Sequence, residues 1–102
     1  MRILFQPEIE YDPAKNQSNI QKHGYSFELA KSVDWAQALI KQDNRKDYKE
    51  IRFVAFVKRL DVLLTLVFTM RKEKMRVISL RMSNGKEVFE YESKANTKIS
   101  HP

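Results

Sequence analysis

The stretch that decides the fold is residues 51–82, IRFVAFVKRLDVLLTLVFTMRKEKMRVISLRM. It contains three apolar runs, at residues 51–57, 62–71 and 75–82, separated by short charged segments at 58–61 and 72–74. Runs rich in β-branched and aromatic residues between polar turns are typical of strands. Connections as short as these join neighbouring strands in antiparallel fashion. The stretch therefore predicts a three-stranded antiparallel meander.

Outward from the meander, the N-terminal part predicts one more strand. Residues 3–12 carry spaced apolar side chains and are interrupted by Pro7, which suits a short strand at a sheet edge. Residues 35–40 are ambiguous between a helical turn and a short strand. Residues 43–50 have no hydrophobic pattern and are predicted to form a charged loop.

Two N-terminal helices are predicted from their end signals. Asp12 followed by a proline is an N-cap before a first helical position, and Gly24 is a typical terminator, so the first helix ends at His23. Ser26 can cap a second helix over residues 27–33.

A C-terminal helix completes the predicted fold. Asn84 and Glu87 have the spacing of a capping box, and the residues after Glu92 are polar. We expect an α+β protein in which a small antiparallel β-sheet, made of the meander plus the N-terminal strand, packs with two N-terminal helices and one C-terminal helix. Residues 1–92 are expected to form a single domain, and residues 93–102 a polar tail.

Composition narrows the possible chemistry. The 102 residues suit one domain, and 42% hydrophobic content is enough for a core. The absence of cysteine excludes disulfides, thiol nucleophiles and zinc–thiolate sites, while two glycines cannot build a phosphate-binding glycine loop. With two histidines a multi-histidine metal site is not expected, so we expect no metal and no cofactor. No apolar stretch approaches the roughly 20 residues that span a bilayer, and no signal peptide is evident, so a cytoplasmic protein without membrane contact is expected.

The positive charge is concentrated in one third of the chain. The formal net charge is +6, and residues 52–81 alone hold eight basic side chains against two acidic ones. A clustered positive field attracts polyanions. Because side chains alternate between faces along a strand, Thr69, Arg71, Ser79 and Arg81 form one patch if the polar faces of their strands coincide. Guanidinium groups bind phosphate oxygens in pairs. The alternative is that Arg71 and Arg81 lie at strand ends and point into solvent.

Five strings of residues, in order along the chain, resemble BrnT-type toxins. They are Asp12-x-x-Lys15 with Asn19-x-x-Lys22-His23-Gly24-x-Ser26-Phe27-x-x-Ala30, then Asp43-x-Arg45-x-Asp47-Tyr48-x-Glu50-x-Arg52, Phe68-Thr69-x-Arg71, Arg76-x-Ile78-Ser79-x-Arg81 and Glu87-x-x-x-Tyr91. The chain departs from the usual family pattern at Lys49, at the turn over residues 58–61 and at Leu80. The resemblance implies a RelE-like fold and a metal-independent endoribonuclease of a type II toxin–antitoxin module. It also implies a BrnA-like antitoxin that inhibits the toxin in a hetero-oligomer and contacts operator DNA.

Cleavage of RNA without a metal uses the substrate's own 2′-hydroxyl as nucleophile and needs a base, an acid and positive charge for the transition state. Arg71 and Arg81 are the candidates for that charge, with Arg52 in support. His23 is a candidate base or acid, although it also suits the end of a helix dipole. Glu50 is a candidate base, or it orients a neighbouring arginine.

The remaining candidates are predicted to contact RNA. Tyr91 can stack on a base or bind a phosphate, or it can simply pack in the core. Lys15 and Lys22 share a helix face with Asn19 and can bind the RNA backbone, as can Arg52 and Arg76. A second interpretation is a non-catalytic module that binds nucleic acid or protein through the basic sheet.

Overall fold

The computed structural model describes residues 7–46 and 48–99, and for residues 95–99 it describes the backbone only. Residues 3–6 of the predicted first strand and the last residues of the predicted tail lie outside this part of the chain. The elements in order are β1 (Ile9–Glu10), α1 (Pro13–His23), a 3-10 helix (Phe27–Lys31), β2 (Asp34–Gln42), β3 (Phe53–Arg59), β4 (Val62–Arg71), β5 (Lys74–Met82) and α2 (Gly85–Ile99). One five-stranded sheet has the order β1-β5-β4-β3-β2.

The predicted meander is present, and it is longer than expected by one strand. Residues 35–40, which were ambiguous by pattern, belong to β2, which pairs antiparallel with β3. The next two pairings, β3 with β4 and β4 with β5, are also antiparallel. Pairing with β3 therefore determines the strand conformation of a segment whose local sequence pattern is ambiguous.

The expectation of a purely antiparallel sheet is wrong at one edge. Strand β1 pairs with β5 in parallel, with Ile9 opposite Met75 and Glu10 opposite Arg76. Parallel neighbours cannot be joined by a tight turn, and here the whole chain between Tyr11 and Glu73 separates the two strands. The sheet is therefore mixed.

The expectation of three helices is also wrong, because the second one is only a five-residue 3-10 helix, Phe27–Lys31. Its predicted cap is present, since Ser26 Oγ accepts a hydrogen bond from the Glu28 amide at 3.2 Å. Phe27 and Ala30 are fully buried. Three residues per turn is the 3-10 repeat, so a single turn buries both side chains. Strand β2 begins three residues after Lys31, at Asp34.

The two α-helices begin where the sequence predicts. Asp12 accepts from the Ala14 amide, and α1 ends at Gly24, whose φ of 82° is in the left-handed region. At α2, the Asn84 and Glu87 side chains each accept from the other residue's amide at 2.9 Å, which is a complete capping box. Helix α2 continues past Glu92 to Ile99. No helix in the described part of the chain is long and apolar enough to cross a membrane.

The two faces of the sheet are covered unequally. The main core lies on one face, under the 3-10 helix, and contains Phe27, Trp35, Leu64, Leu66 and Leu80 among its buried side chains. On the other face a small cluster of Val54, Phe56 and Tyr91 holds α2 at one end. The second face therefore carries a much smaller core than the first.

An irregularity in β5 changes which of its residues face the core. Val67 pairs with Ser79, but the next residue, Phe68, pairs with Val77, so Ile78 is an extra residue in β5. Such a β-bulge shifts the alternation by one position. Val77 and Leu80, which strict alternation along the strand would place on opposite faces, consequently both lie in the main core.

Helix α1 lies against the edge of β5 through one buried amide. The Asn19 side chain donates to the Leu80 carbonyl at 2.7 Å and accepts from the Leu80 amide at 3.2 Å. It also donates to the Tyr25 carbonyl at 2.8 Å. Asn19 is 7% exposed, so this residue is a structural contact between the helix and the strand and is not available to an RNA-binding ridge on α1.

Replacing Asn19 with leucine is expected to destabilise the protein by about 3 kcal/mol, because two buried backbone groups of Leu80 lose their partner while the volume is kept. Urea denaturation measures the change. Gln17→Leu makes the same substitution at an exposed position of α1 and is the control. Equal stability of the two variants would contradict this account of the contact.

Candidate functional site

The open part of the second sheet face is a cleft between α2 and the loop that follows β2. We call it the α2 cleft; its volume is about 340 Å³. It is lined by Lys41, Gln42, Asp43, Asn44, Arg45, Val54, Phe56, Thr65, Val67, Arg81, Glu87 and Glu90. Val54, Phe56, Thr65 and Val67 form a largely apolar floor, and the charged residues form the rim.

Helix α2 is held at one side of the cleft by Glu87. Two nitrogens of the Arg81 guanidinium each lie 2.8 Å from a carboxylate oxygen of Glu87. Thr65 Oγ1 donates to the same carboxylate at 3.0 Å. The hydrogen bonds from Arg81 are the main cause that lowers the pKa of Glu87 from 4.5 to about 2, and the same contact raises the pKa of Arg81.

The other side of the cleft is fixed by a buried carboxylate at the end of β2. The Asp43 side chain is 1% exposed, and both of its oxygens accept from Arg45, from Nε and Nη2, at 2.8 Å. The Tyr48 hydroxyl donates to it at 3.0 Å. The hydrogen bonds from Arg45 hold the pKa of Asp43 well below its usual range. The Asp43 amide donates to the Arg52 carbonyl at 2.8 Å, which closes the loop.

Beyond this loop lies a second cavity, of about 310 Å³, which we call the loop cavity. Glu50 lies there between two guanidinium groups. Its Oε1 is 3.3 Å from Arg71 Nη2 and its Oε2 is 3.6 Å from Arg52 Nε. The Arg52 guanidinium is stacked 4.2 Å above the centre of the Tyr48 ring. We call Tyr48, Glu50, Arg52 and Arg71 the Glu50 cluster.

One donor in this cluster is unsatisfied. The Nε of Arg52 is buried and has no hydrogen-bond partner among the described residues. Buried polar groups without a partner are rare in folded proteins, and each calls for a ligand or a functional reason. The atom lies next to the Glu50 carboxylate, beyond hydrogen-bond distance.

The predicted site residues fall into separate places. The structure brings Glu50, Arg52 and Arg71 together. Arg81 pairs with Thr65, which lies six residues before Arg71 on β4. The backbone of Arg81 is therefore about 20 Å from that of Arg71. The expected patch of Arg71 and Arg81 therefore does not form as one group. Arg81 instead lines the α2 cleft.

The other two predicted catalytic residues, His23 and Tyr91, make no hydrogen bond with Arg71 or Arg81 in the described part of the chain. His23 is the last residue of α1, and among the described residues it makes no hydrogen bond or ion pair with Glu50, Arg71 or Arg81. Tyr91 is 7% exposed, and its hydroxyl donates to the Gln37 carbonyl at 2.9 Å; burial raises its pKa.

The predicted RNA-binding side chains outside the Glu50 cluster differ in exposure. Lys15 and Lys22 are exposed on α1. Arg76 Nη1 lies 3.4 Å from the Glu10 carboxylate, at the pairing of β1 with β5.

Several site residues were not singled out from the sequence for a role. Asp43, Arg45 and Tyr48 belong to the quoted middle motif, so a signal was present, and Glu87 was identified only as a cap. The pair of Lys41 and Glu90, with Nζ 2.9 Å from Oε2, spans 49 positions and has no local signal. No cluster of three or more potential metal-ligating side chains lies together in the described part of the chain.

The candidate site is thus a carboxylate between two arginines on a small α+β protein with a mixed five-stranded sheet. The family model described as ribonuclease toxin, BrnT, of type II toxin–antitoxin systems matches residues 11–87. This range includes the lining of the loop cavity and, apart from Glu90, that of the α2 cleft. The chain belongs to this family, as its motifs indicated. No curated protein matches the chain.

The pH dependence of folding tests the contact between Glu87 and Arg81. Because the pKa of Glu87 is about 2 in the folded protein, its contribution is complete above about pH 4.5 and is lost as the pH falls toward 2. Glu87→Gln is expected to cost about 2 kcal/mol at pH 7, and the difference from the unmodified protein shrinks below pH 4.5. Urea denaturation at pH 7, 4 and 2.5 measures it.

Glu92→Gln, at an exposed position of the same helix, is the matched control and is expected to show no such pH-dependent difference. A constant difference between Glu87→Gln and the unmodified protein from pH 7 to pH 2.5 would argue against the ion pair as its source.

Proposed function

We propose that this protein is a metal-independent endoribonuclease that cleaves RNA by attack of the 2′-hydroxyl on the adjacent phosphorus, at the Glu50 cluster. The observation that carries the proposal is the position of the Glu50 carboxylate, 3.3 Å and 3.6 Å from nitrogens of two guanidinium groups. A base next to two forked cations is what this reaction requires.

The cluster supplies two of the required groups. Glu50 takes the proton of the 2′-hydroxyl while the oxygen of that hydroxyl bonds to phosphorus. The bond from phosphorus to the 5′-oxygen breaks, and that oxygen takes a proton from solvent. The products are a 2′,3′-cyclic phosphate and a free 5′-hydroxyl.

The arginines hold the phosphate and stabilise its developing charge. The side chain of Arg71 is 51% exposed, so it can move from Glu50 onto a phosphate oxygen. The Arg52 guanidinium, on a side chain that is 29% exposed, is the second donor. Among the described residues that line the loop cavity, Lys46, Lys49 and Arg52 outnumber the carboxylates of Asp43 and Glu50. Guanidinium groups bind phosphate in bidentate fashion, which favours this assignment.

The other candidates receive different roles. Arg81 is engaged by Glu87 and is assigned to holding α2 beside the cleft. We assign no step of the cleavage to His23 or Tyr91, because neither contacts the Glu50 cluster in the described part of the chain. Lys15, Lys22 and Arg76 are assigned to the RNA backbone beyond the cleaved bond.

The proposed partners follow from family membership. RNA cleavage in the cytoplasm inhibits translation and growth, and a BrnA-like antitoxin neutralises the toxin in a hetero-oligomer that contacts operator DNA through the antitoxin. A RelE-like fold is part of the same proposal, supported by the antiparallel meander with helices on both sides.

Cleavage of RNA in the presence of EDTA is the direct test. The protein is expected to cut RNA in chelator and to leave cyclic or 3′-phosphate ends. Glu50→Gln is expected to lower the rate by about 10²- to 10⁴-fold, because it removes the base, and Arg71→Ala by about 10²- to 10³-fold. Gel electrophoresis with end-group analysis of the products measures both effects.

Asp61→Asn and Lys58→Ala are the matched controls. They remove one negative and one positive charge near the other end of β3 and β4, and both variants are expected to cleave RNA as the unmodified protein does. RNA binding without any cleavage would favour the non-catalytic binding module. Cleavage unaffected by Glu50→Gln would overturn the assignment of the base.

Antitoxin dependence is tested in cells. Expression of the chain is expected to arrest growth, and co-expression of a small DNA-binding protein encoded next to its gene is expected to restore it. Glu50→Gln is expected to abolish toxicity while still co-purifying with that protein, since the substitution changes one half-buried side chain. Growth arrest by the Glu50→Gln variant would contradict toxicity through RNA cleavage.

A further inference from the structure

The rim of the α2 cleft is electrically balanced, unlike the loop cavity. Its three cations each have a carboxylate partner on the rim: Lys41 with Glu90, Arg45 with Asp43, and Arg81 with Glu87. A phosphate entering the cleft would meet as many negative groups as positive ones. The cleft is therefore unsuited to the RNA backbone and suited to a neutral group.

The floor of the cleft is suited to a flat apolar surface. Val54, Phe56 and Val67 form it, together with the Thr65 side chain, whose hydroxyl is already bonded to Glu87. The volume of about 340 Å³ lies within the range of small-ligand sites, roughly 300–1,000 Å³. An aromatic ring system with polar atoms at its edge fits such a floor and rim.

Two amide side chains stand at the boundary between the cavities. Gln42 and Asn44 line both the α2 cleft and the loop cavity. Both are exposed, and within the described part of the chain neither side chain has a hydrogen bond. An amide offers a donor and an acceptor side by side, which is the pattern that reads the edge of a nucleobase.

We propose that the α2 cleft binds one unstacked base of the RNA, next to the phosphate held by the Glu50 cluster, with Gln42 and Asn44 reading its edge. The cleft then makes cleavage selective for the base at one position beside the cut. This inference rests on the proposed function, because it places the base relative to the phosphate that is cleaved. Sequence-specific recognition of RNA generally uses bases that have left the stack.

The first test is the pattern of cuts in a random-sequence RNA pool, read by sequencing the product ends. The unmodified protein is expected to prefer one base at a fixed position beside the cut. In the double variant Gln42→Ala/Asn44→Ala that preference is expected to fall about tenfold. The double variant Gln17→Ala/Gln21→Ala removes two exposed amides of α1 and is expected to keep the preference. Cleavage without base preference by the unmodified protein would overturn the inference and leave the proposed function standing.

The second test measures binding and does not depend on cleavage. The probes are a short RNA with a 2′-deoxy nucleotide at the cut position and the same RNA lacking the base at the preferred position. The abasic probe is expected to bind about tenfold more weakly to the unmodified protein, and this difference is expected to be smaller for Gln42→Ala/Asn44→Ala. Arg71→Ala is expected to weaken both probes equally.

Equal binding of the two probes to the unmodified protein would overturn the inference. If the amide variant changed only the affinity for the antitoxin, the cleft would be a protein contact and the inference would be wrong. Base-dependent binding through the amides, in a protein that cuts no RNA, would support the inference about the cleft and reject the proposed catalysis.

Discussion

Both cavities depend on the carboxylate of Asp43, the most deeply buried charge of the site. A buried charge is stable only when it is paired and hydrogen-bonded, and Asp43 meets this condition with Arg45 and Tyr48. Tyr48 then lies under the Arg52 guanidinium, and Arg52 lies beside Glu50. One contact at the end of β2 thus shapes the wall of the α2 cleft and also orients the arginine of the Glu50 cluster.

The sequence predicted best what local chemistry decides. The ends of α1 follow from Asp12 and Gly24, and the start of α2 follows from Asn84 and Glu87, because caps are contacts between residues close along the chain. The meander followed from short turns between apolar runs. The type of the second helix could not be predicted, since a cap at Ser26 and the burial of Phe27 and Ala30 suit a single 3-10 turn as well as the start of an α-helix.

The site was predicted in part, and the reason is geometric. The middle motif and the apolar runs identified Glu50, Arg52 and Arg71. The grouping of Arg71 with Arg81 failed because strand alternation tells only which face a residue takes, and these two lie near opposite ends of the sheet. The extra residue Ile78 also changes the alternation, and nothing in the local pattern marks a bulge.

Charge counted along the chain differs from charge in the folded protein. The surplus lies in residues 52–81, yet most of its cations meet carboxylates from outside that segment: Lys74 with Glu8, Arg76 with Glu10, Arg52 and Arg71 with Glu50, and Arg81 with Glu87. Folding therefore neutralises much of the basic segment. What distinguishes the loop cavity, among the described residues, is that its cations outnumber its two carboxylates, Asp43 and Glu50.

The outer edge of β5 is protected against pairing with a second copy of the chain. An edge strand with free backbone groups is a template onto which a second copy of a chain can add, and repeated addition leads to aggregation. Here β1 pairs with Met75 and Arg76, the bulge at Ile78 interrupts the regular ladder, and the Asn19 amide occupies both backbone groups of Leu80. Strand β1, the bulge at Ile78 and the Asn19 side chain together protect this edge. No full-length strand pairs with the outer edge of β5 in the described part of the chain.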